Sequence, residues 1–109
     1  MIEYNLNTKI NNTNRVYLFT TSNCKPCLSM KIILEKFEVL HSDKIAFVYV
    51  DIEQNVEIAR KYKIKSVPTT VFERDSMIID RFAGFIDDVD LESKLMNLLF
   101  DLGNEIDFN

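Results

Sequence analysis

The sequence predicts an α/β domain in which a central mixed β-sheet is flanked by helices on both faces. Short runs rich in β-branched and aromatic residues alternate with stretches whose apolar residues recur every three or four positions, the pattern of strands and helices in turn. Near the end, two strand-like runs are separated only by a short polar turn, so at least one pair is antiparallel and the sheet is mixed. The composition is 47% hydrophobic and 28% charged, with 2 Gly and 2 Pro in 109 residues, as in one folded domain spanning residues 1–109.

The first residues are ambiguous, with room for a strand at 2–6 and a helical turn. Residues 16–20 (VYLFT) are short, apolar and β-branched or aromatic, which suits a buried strand. Ser22 and Asn23 then offer capping side chains, and Pro26 suits a first helical turn, where its missing N–H costs nothing. The helix is expected to start near Cys24 and to run to about His41, with Met30, Ile33, Leu34, Phe37 and Leu40 on one apolar face. His41 is read as a surface residue at its end.

Residues 45–50 (IAFVYV) are almost continuously apolar, as in a central parallel strand covered on both sides. Asn55 is placed to cap a short helix at 56–62. Strands follow at 69–73 and 77–82, with Arg74, Asp75 and Ser76 as the turn, although no Gly marks it. Asp87 or Asp88 caps a helix at 89–100, with Leu91, Leu95, Leu98 and Leu99 inward. Gly103 is expected to stop that helix, and residues 101–109 to form a loose tail beyond a core at about 16–100.

A formal net charge of -4 at pH 7 without a basic stripe speaks against a nucleic-acid partner. No stretch is long and apolar enough for a membrane span. The first residues lack a cationic segment followed by an apolar run, so a cytoplasmic location is expected. In that compartment structural disulfides are rare, and a close cysteine pair reads as catalytic or metal-binding.

Both cysteines lie in one such pair, Cys24-Lys25-Pro26-Cys27. Two cysteines placed at random take this spacing in only about 2% of arrangements, so the context of the pair has to be weighed. A thiolate at a helix amino terminus faces free N–H groups and the positive end of the dipole, which lowers its pKa. Cys24 holds that place beside the charge of Lys25, whereas Cys27 lies a turn further in and is more buried. The asymmetry suits attack on a disulfide by Cys24 and resolution by Cys27.

Two other readings of the pair are inert core thiols and part of a metal site. Structural zinc needs four ligands, and the chain offers only two Cys and His41 at the far end of the helix, so a metal would have to bridge subunits. Asp87, Asp88, Asp90 and Glu92 are ordinary partners of a first helical turn, so no metal is assigned there. Pro68, directly before a strand, reads on its own as a loop terminator.

Taken together, Cys24-Lys25-Pro26-Cys27 after an apolar strand, Val50-Asp51-Ile52-Glu53-Gln54-Asn55 closing the next, and Val67-Pro68-Thr69 before the hairpin resemble the thioredoxin family, over about Val16 to Phe100. The resemblance implies a thioredoxin fold with Pro68 in the cis form against the cysteine pair. It also implies that the Val67 backbone pairs with an extended substrate segment and that Gly84 lies near the substrate groove. Reduction of protein disulfides is then expected, with the Cys24–Cys27 disulfide as the redox centre and no other cofactor. Electrons are expected from a separate reductase, because no dinucleotide-binding glycine motif is present.

Several positions depart from the family pattern. Asn23 replaces the usual Trp, Lys25 the usual Gly, Leu18 a buried Asp and Tyr49 the Lys that partners it. The absence of that acid–base group predicts slow resolution by Cys27. The amino-terminal region is also too short for the family's full first strand and long first helix. A binding or redox-sensing module with one specific partner is the alternative reading, and a glutathione-dependent, glutaredoxin-like role is a third.

Overall fold

The computed structural model describes residues 1–100. Its elements are β1 (Ile2–Glu3), β2 (Asn14–Thr20), α1 (Lys25–His41), β3 (Ala46–Asp51), α2 (Val56–Lys61), β4 (Thr69–Arg74), β5 (Met77–Ala83) and α3 (Asp88–Phe100). The strands form one sheet in the order β1-β3-β2-β4-β5. β1 and β2 run parallel to β3, whereas β2–β4 and β4–β5 are antiparallel. The expected mixed sheet is therefore present.

Alternation along β2 divides the core. Val16 and Leu18 join Met30, Leu34 and Phe37 of α1 and Leu91, Leu95 and Leu98 of α3 on one face. Tyr17 and Phe19 point to the other, with Val48, Val50, Val71 and Tyr62, against which Ile58 of α2 packs. Helices thus cover both faces, as the alternating pattern predicts. Among the described residues, no helix is long and apolar enough to cross a membrane.

Several local expectations are corrected. The amino-terminal strand is only Ile2–Glu3, because the chain then folds into a turn and not a helix: Asn7 N–H donates to Asn5 Oδ1 at 2.8 Å and Thr8 N–H to Asn5 O at 3.0 Å. Leu40 is 69% exposed. At about 3.6 residues per turn, the buried line Met30–Leu34–Phe37 continues to the half-buried His41 and leaves Leu40 at its margin. Leu99 is half-buried and packs against the core.

Arg74 belongs to β4, and the hairpin turn is Asp75–Ser76 alone, with φ of 50° and 68°. Positive φ at both central residues is the geometry that matches the twist of the strands, here supplied without glycine. Asn55 stands at the cap position of α2 but makes no side-chain cap bond; its Nδ2 donates to Asp51 O at 3.0 Å instead. Asp87 does cap α3, accepting the Asp90 N–H on Oδ1 at 3.0 Å. Gly103 and the tail at 101–109 lie outside the described residues.

Candidate active site

Three loops meet at one end of the sheet. β2 and β3 run parallel and end together, with Thr20 opposite Asp51, while antiparallel β4 begins there, with Thr69 opposite Phe19. The segments 21–24, 52–55 and 66–68 therefore leave the sheet on the same side.

In the first loop, Cys24 is the N-cap of α1, with φ -112° and ψ 103°, and its Sγ accepts the Cys27 N–H at 3.3 Å. The cap is therefore the cysteine itself, not Ser22 or Asn23. Ser22 is turned toward another loop, and Asn23 is held at φ 58°. Pro26 lies in the first turn, where no backbone donor is needed. Cys24 and Cys27 are joined by a disulfide with a Cα–Cα separation of 5.2 Å. Cys27 is 2% exposed, whereas Cys24 is half-buried and Asn23, Lys25 and Pro26 are exposed. An N–H donor to Sγ and the start of a helix both favour the anionic form of Cys24 once the disulfide is opened.

In the loop before β4, the Val67–Pro68 peptide is cis. Pro68 is buried and Val67 half-buried. Thr69 Oγ1 donates to Ser66 O at 2.7 Å, and Gly84 N–H donates to Pro68 O at 2.8 Å. That bond ties Gly84, at φ 88°, to the proline. The positions singled out in the sequence, Asn23 to Cys27, Val67, Pro68 and Gly84, thus lie at the same end of the sheet, with Gly84 bonded to Pro68.

The loop after β3 carries contacts that sequence inspection did not find. Ile52 N–H donates to Thr20 O at 2.9 Å. Glu53 Oε1 accepts both the Ser22 hydroxyl at 3.0 Å and the Ser22 N–H at 3.3 Å. The Glu53 N–H in turn donates to Asp51 Oδ1 at 2.9 Å. The only signal for this clamp was a hydroxyl residue two positions before Cys24 and an acid just past a strand.

Leu18 is fully buried in the apolar cluster beneath α1, and Tyr49 is its register partner on β3. The Lys31 ammonium stands 4.8 Å from the centre of the Tyr49 ring. At the other end of the sheet, Arg15 of β2 lies opposite Glu73 of β4, and their charged groups are 3.9 Å apart. Tyr62 Oη donates to the buried Glu73 carboxylate, and Arg15 donates to Tyr17 Oη at 3.3 Å. Burial, followed by that bond to Glu73, pushes the Tyr62 pKa well above the usual phenol range. These residues border a cleft of about 570 Å³, remote from the cysteines. Among the described residues, no group of three or more His, Cys, Asp or Glu is arranged to hold a metal ion.

Residues 2–97 match the family model described as Thioredoxin. The chain is 39% identical over 74 residues to a thioredoxin of Mycoplasmoides gallisepticum, covering 66% of this chain and 71% of that protein. It is 32% identical over 62 residues to the thioredoxin of Bacillus subtilis, covering 57% of this chain and 60% of that one. With mitochondrial thioredoxin of Bos taurus it shares 30% identity over 76 residues, 70% of this chain and 46% of the relative. The match therefore spans about half the length of the mitochondrial relatives. Among solved structures, the germline-specific thioredoxin Deadhead of Drosophila melanogaster superposes with a TM-score of 0.73 at 27% identity, covering 81% of this chain and 83% of that one. Oxidised mitochondrial thioredoxin 3 of Saccharomyces cerevisiae gives a TM-score of 0.70 at 27% identity, with 79% of each chain covered.

Proposed function

Since the chain belongs to the thioredoxin family, we propose that it is a thiol–disulfide oxidoreductase that reduces protein disulfides through Cys24 and Cys27. The observation that carries this reading is the Cys24–Cys27 disulfide at the start of α1, with Cys24 Sγ accepting the Cys27 N–H. In the reduced protein the Cys24 thiolate attacks one sulfur of a substrate disulfide. That S–S bond breaks, a mixed disulfide forms, and the other substrate sulfur leaves as a thiolate and takes a proton. Cys27 then loses its proton and attacks Cys24 Sγ, which releases the second substrate thiol and closes the Cys24–Cys27 disulfide. Two electrons pass from the dithiol to the substrate.

Val67, Pro68 and Gly84 form the substrate-binding side of this site, with the Val67 backbone pairing with an extended substrate segment. Asn23, Lys25 and Pro26 set the surface around the nucleophile. Substrates are disulfide-bearing proteins, and a separate reductase restores the dithiol. A cytoplasmic location fits a chain whose two cysteines form one reactive pair. The relatives include mitochondrial and chloroplastic thioredoxins, so imaging of the tagged full chain in its own cell is the test of location.

The function is tested by giving the reduced protein insulin as a disulfide substrate and by using Cys27→Ser as a trap. Insulin reduction that is lost in Cys24→Ser, together with several cellular proteins trapped on Cys24, supports the proposal. Absence of reduction, with a single partner held independently of thiols, replaces it with a binding module.

A further inference from the structure

Two braces hold the loops at this end of the sheet. On one side Gly84 holds the Pro68 carbonyl, and on the other the loop after β3 holds the loop that carries Cys24. The second brace has two parts. One is a backbone bond, Ile52 N–H to Thr20 O at 2.9 Å. The other depends on side chains: a single Glu53 oxygen accepts the Ser22 hydroxyl and the Ser22 N–H.

Ser22 is followed by Asn23 at φ 58° and then by Cys24, so the backbone reverses its course just before the nucleophile. For a residue with a Cβ that left-handed conformation is sparsely populated and has to be held by its surroundings. Asn23 is itself exposed, in the place where the family pattern has a bulky Trp. On its amino-terminal side this turn is tied by the Ser22–Glu53 contact, which spans 31 positions of sequence. Both partners are exposed, so it adds little to global stability, yet it fixes the turn two residues before the reactive sulfur.

We propose that Glu53 is a positioning residue for the exchange reaction: by accepting both Ser22 donors it holds the turn through Asn23 that sets Cys24 at the start of α1. The inference rests on Cys24 being the attacking thiol, as proposed above. Glu53 acts through bonds accepted by its side-chain oxygen, so its amide analogue keeps the function. Lys25, close to the turn in sequence, and Asp51, which accepts the Glu53 N–H, remain in every variant below.

The test uses the reduced full chain and dithionitrobenzoate, an aromatic disulfide that any accessible thiolate attacks, with the rate of attack followed across pH. In Glu53→Ala the rate is expected to fall about fivefold at every pH, with thermal stability nearly unchanged. Glu53→Gln restores most of the loss. Ser22→Ala, which keeps the N–H but not the hydroxyl, gives a smaller loss, and adding it to Glu53→Ala brings no further loss, because both changes break one contact.

Three results overturn the proposal: an unchanged rate in Glu53→Ala, losses that multiply in the double variant, or Glu53→Gln as slow as Glu53→Ala. The last outcome, particularly with a displaced pH midpoint, assigns the effect to the carboxylate charge and not to the bonds. Because the reagent requires only a reactive thiolate, failure of the wild type to reduce insulin refutes the proposed function separately and leaves this comparison readable.

Discussion

Leu18 and Tyr49 are register partners on adjacent parallel strands, in the positions where the family pattern has a buried Asp and its Lys. Leu18 is fully buried beside Met30 and Leu34, so the site beneath the cysteine helix is apolar. Losing both charged residues together leaves no buried charge unpaired, which is why the fold tolerates the exchange.

On the proposed mechanism, position 18 therefore offers no carboxyl to accept the proton of Cys27. Leu18→Asp alone is expected to destabilise the protein by about 3–5 kcal/mol, since it places an unpaired acid in the apolar cluster. Leu18→Asp with Tyr49→Lys should recover much of that stability and shorten the mixed-disulfide lifetime by about 10²-fold. Quenching the reaction with acid and counting the mixed disulfide by mass spectrometry measures the lifetime. An equal lifetime in a folded double variant shows that the missing acid does not limit resolution.

The two cysteines should differ sharply in the reduced protein. Cys24 is half-buried at the N-cap and accepts an N–H, while Cys27 is 2% exposed and inside the first turn. Iodoacetamide at pH about 7 is therefore expected to label Cys24 at least tenfold faster than Cys27, with the Cys24 midpoint below the free-thiol value of about 8.5. Peptide mapping of the alkylated chain gives the ratio. Equal labelling would remove the physical basis for treating Cys24 as the nucleophile.

Gly84 has φ 88°, and a Cβ built there meets nothing within 4 Å. Space and backbone conformation can thus be separated at this position. Gly84→Ala should cost about 1–2 kcal/mol through the left-handed conformation alone. The melting temperature should fall by roughly 4–8 °C per kcal/mol. Gly84→Asn should cost less, because Asn tolerates positive φ better than Ala. Equal losses in Ala and Asn would mean that side-chain contact, not backbone geometry, sets the cost.

Features fixed by neighbouring residues were legible in the sequence. Pro26 and the apolar run at 16–20 located the start of α1, and the spacing of Leu91, Leu95 and Leu98 gave the buried line of α3. The apolar run at 16–20 marked a buried strand but not which strand lies opposite, since register is set by packing of the whole sheet. Ser22 therefore looks like a local cap in the sequence although its partner is Glu53, and no local pattern links Arg15, Tyr62 and Glu73, which the sheet brings together. The residues around Pro68 gave only a loop end; the family resemblance, not periodicity, supplied the cis form. Leu40 was misplaced because a repeat of three and four residues describes a face too wide by one position at the end of a long helix.

Tyr62 offers a test of the network at the end of the sheet away from the cysteines. Its hydroxyl donates to the buried Glu73 carboxylate, and burial together with this bond raises its pKa above that of a free phenol. Folding then favours the protonated phenol. Below pH about 10 both folded and unfolded chains keep that proton, and the contribution of the bond is fully present. Above it the unfolded chain releases a proton that the folded chain retains, so stability falls as pH rises. Tyr62→Phe leaves Glu73 without its donor and should cost about 1–3 kcal/mol at pH about 8. The difference between wild type and variant should narrow between pH about 9 and 11, as the wild type alone loses this contribution. Urea unfolding of both oxidised proteins at each pH measures the difference, and a gap that stays constant over that range would show that Tyr62 is not held protonated by the fold.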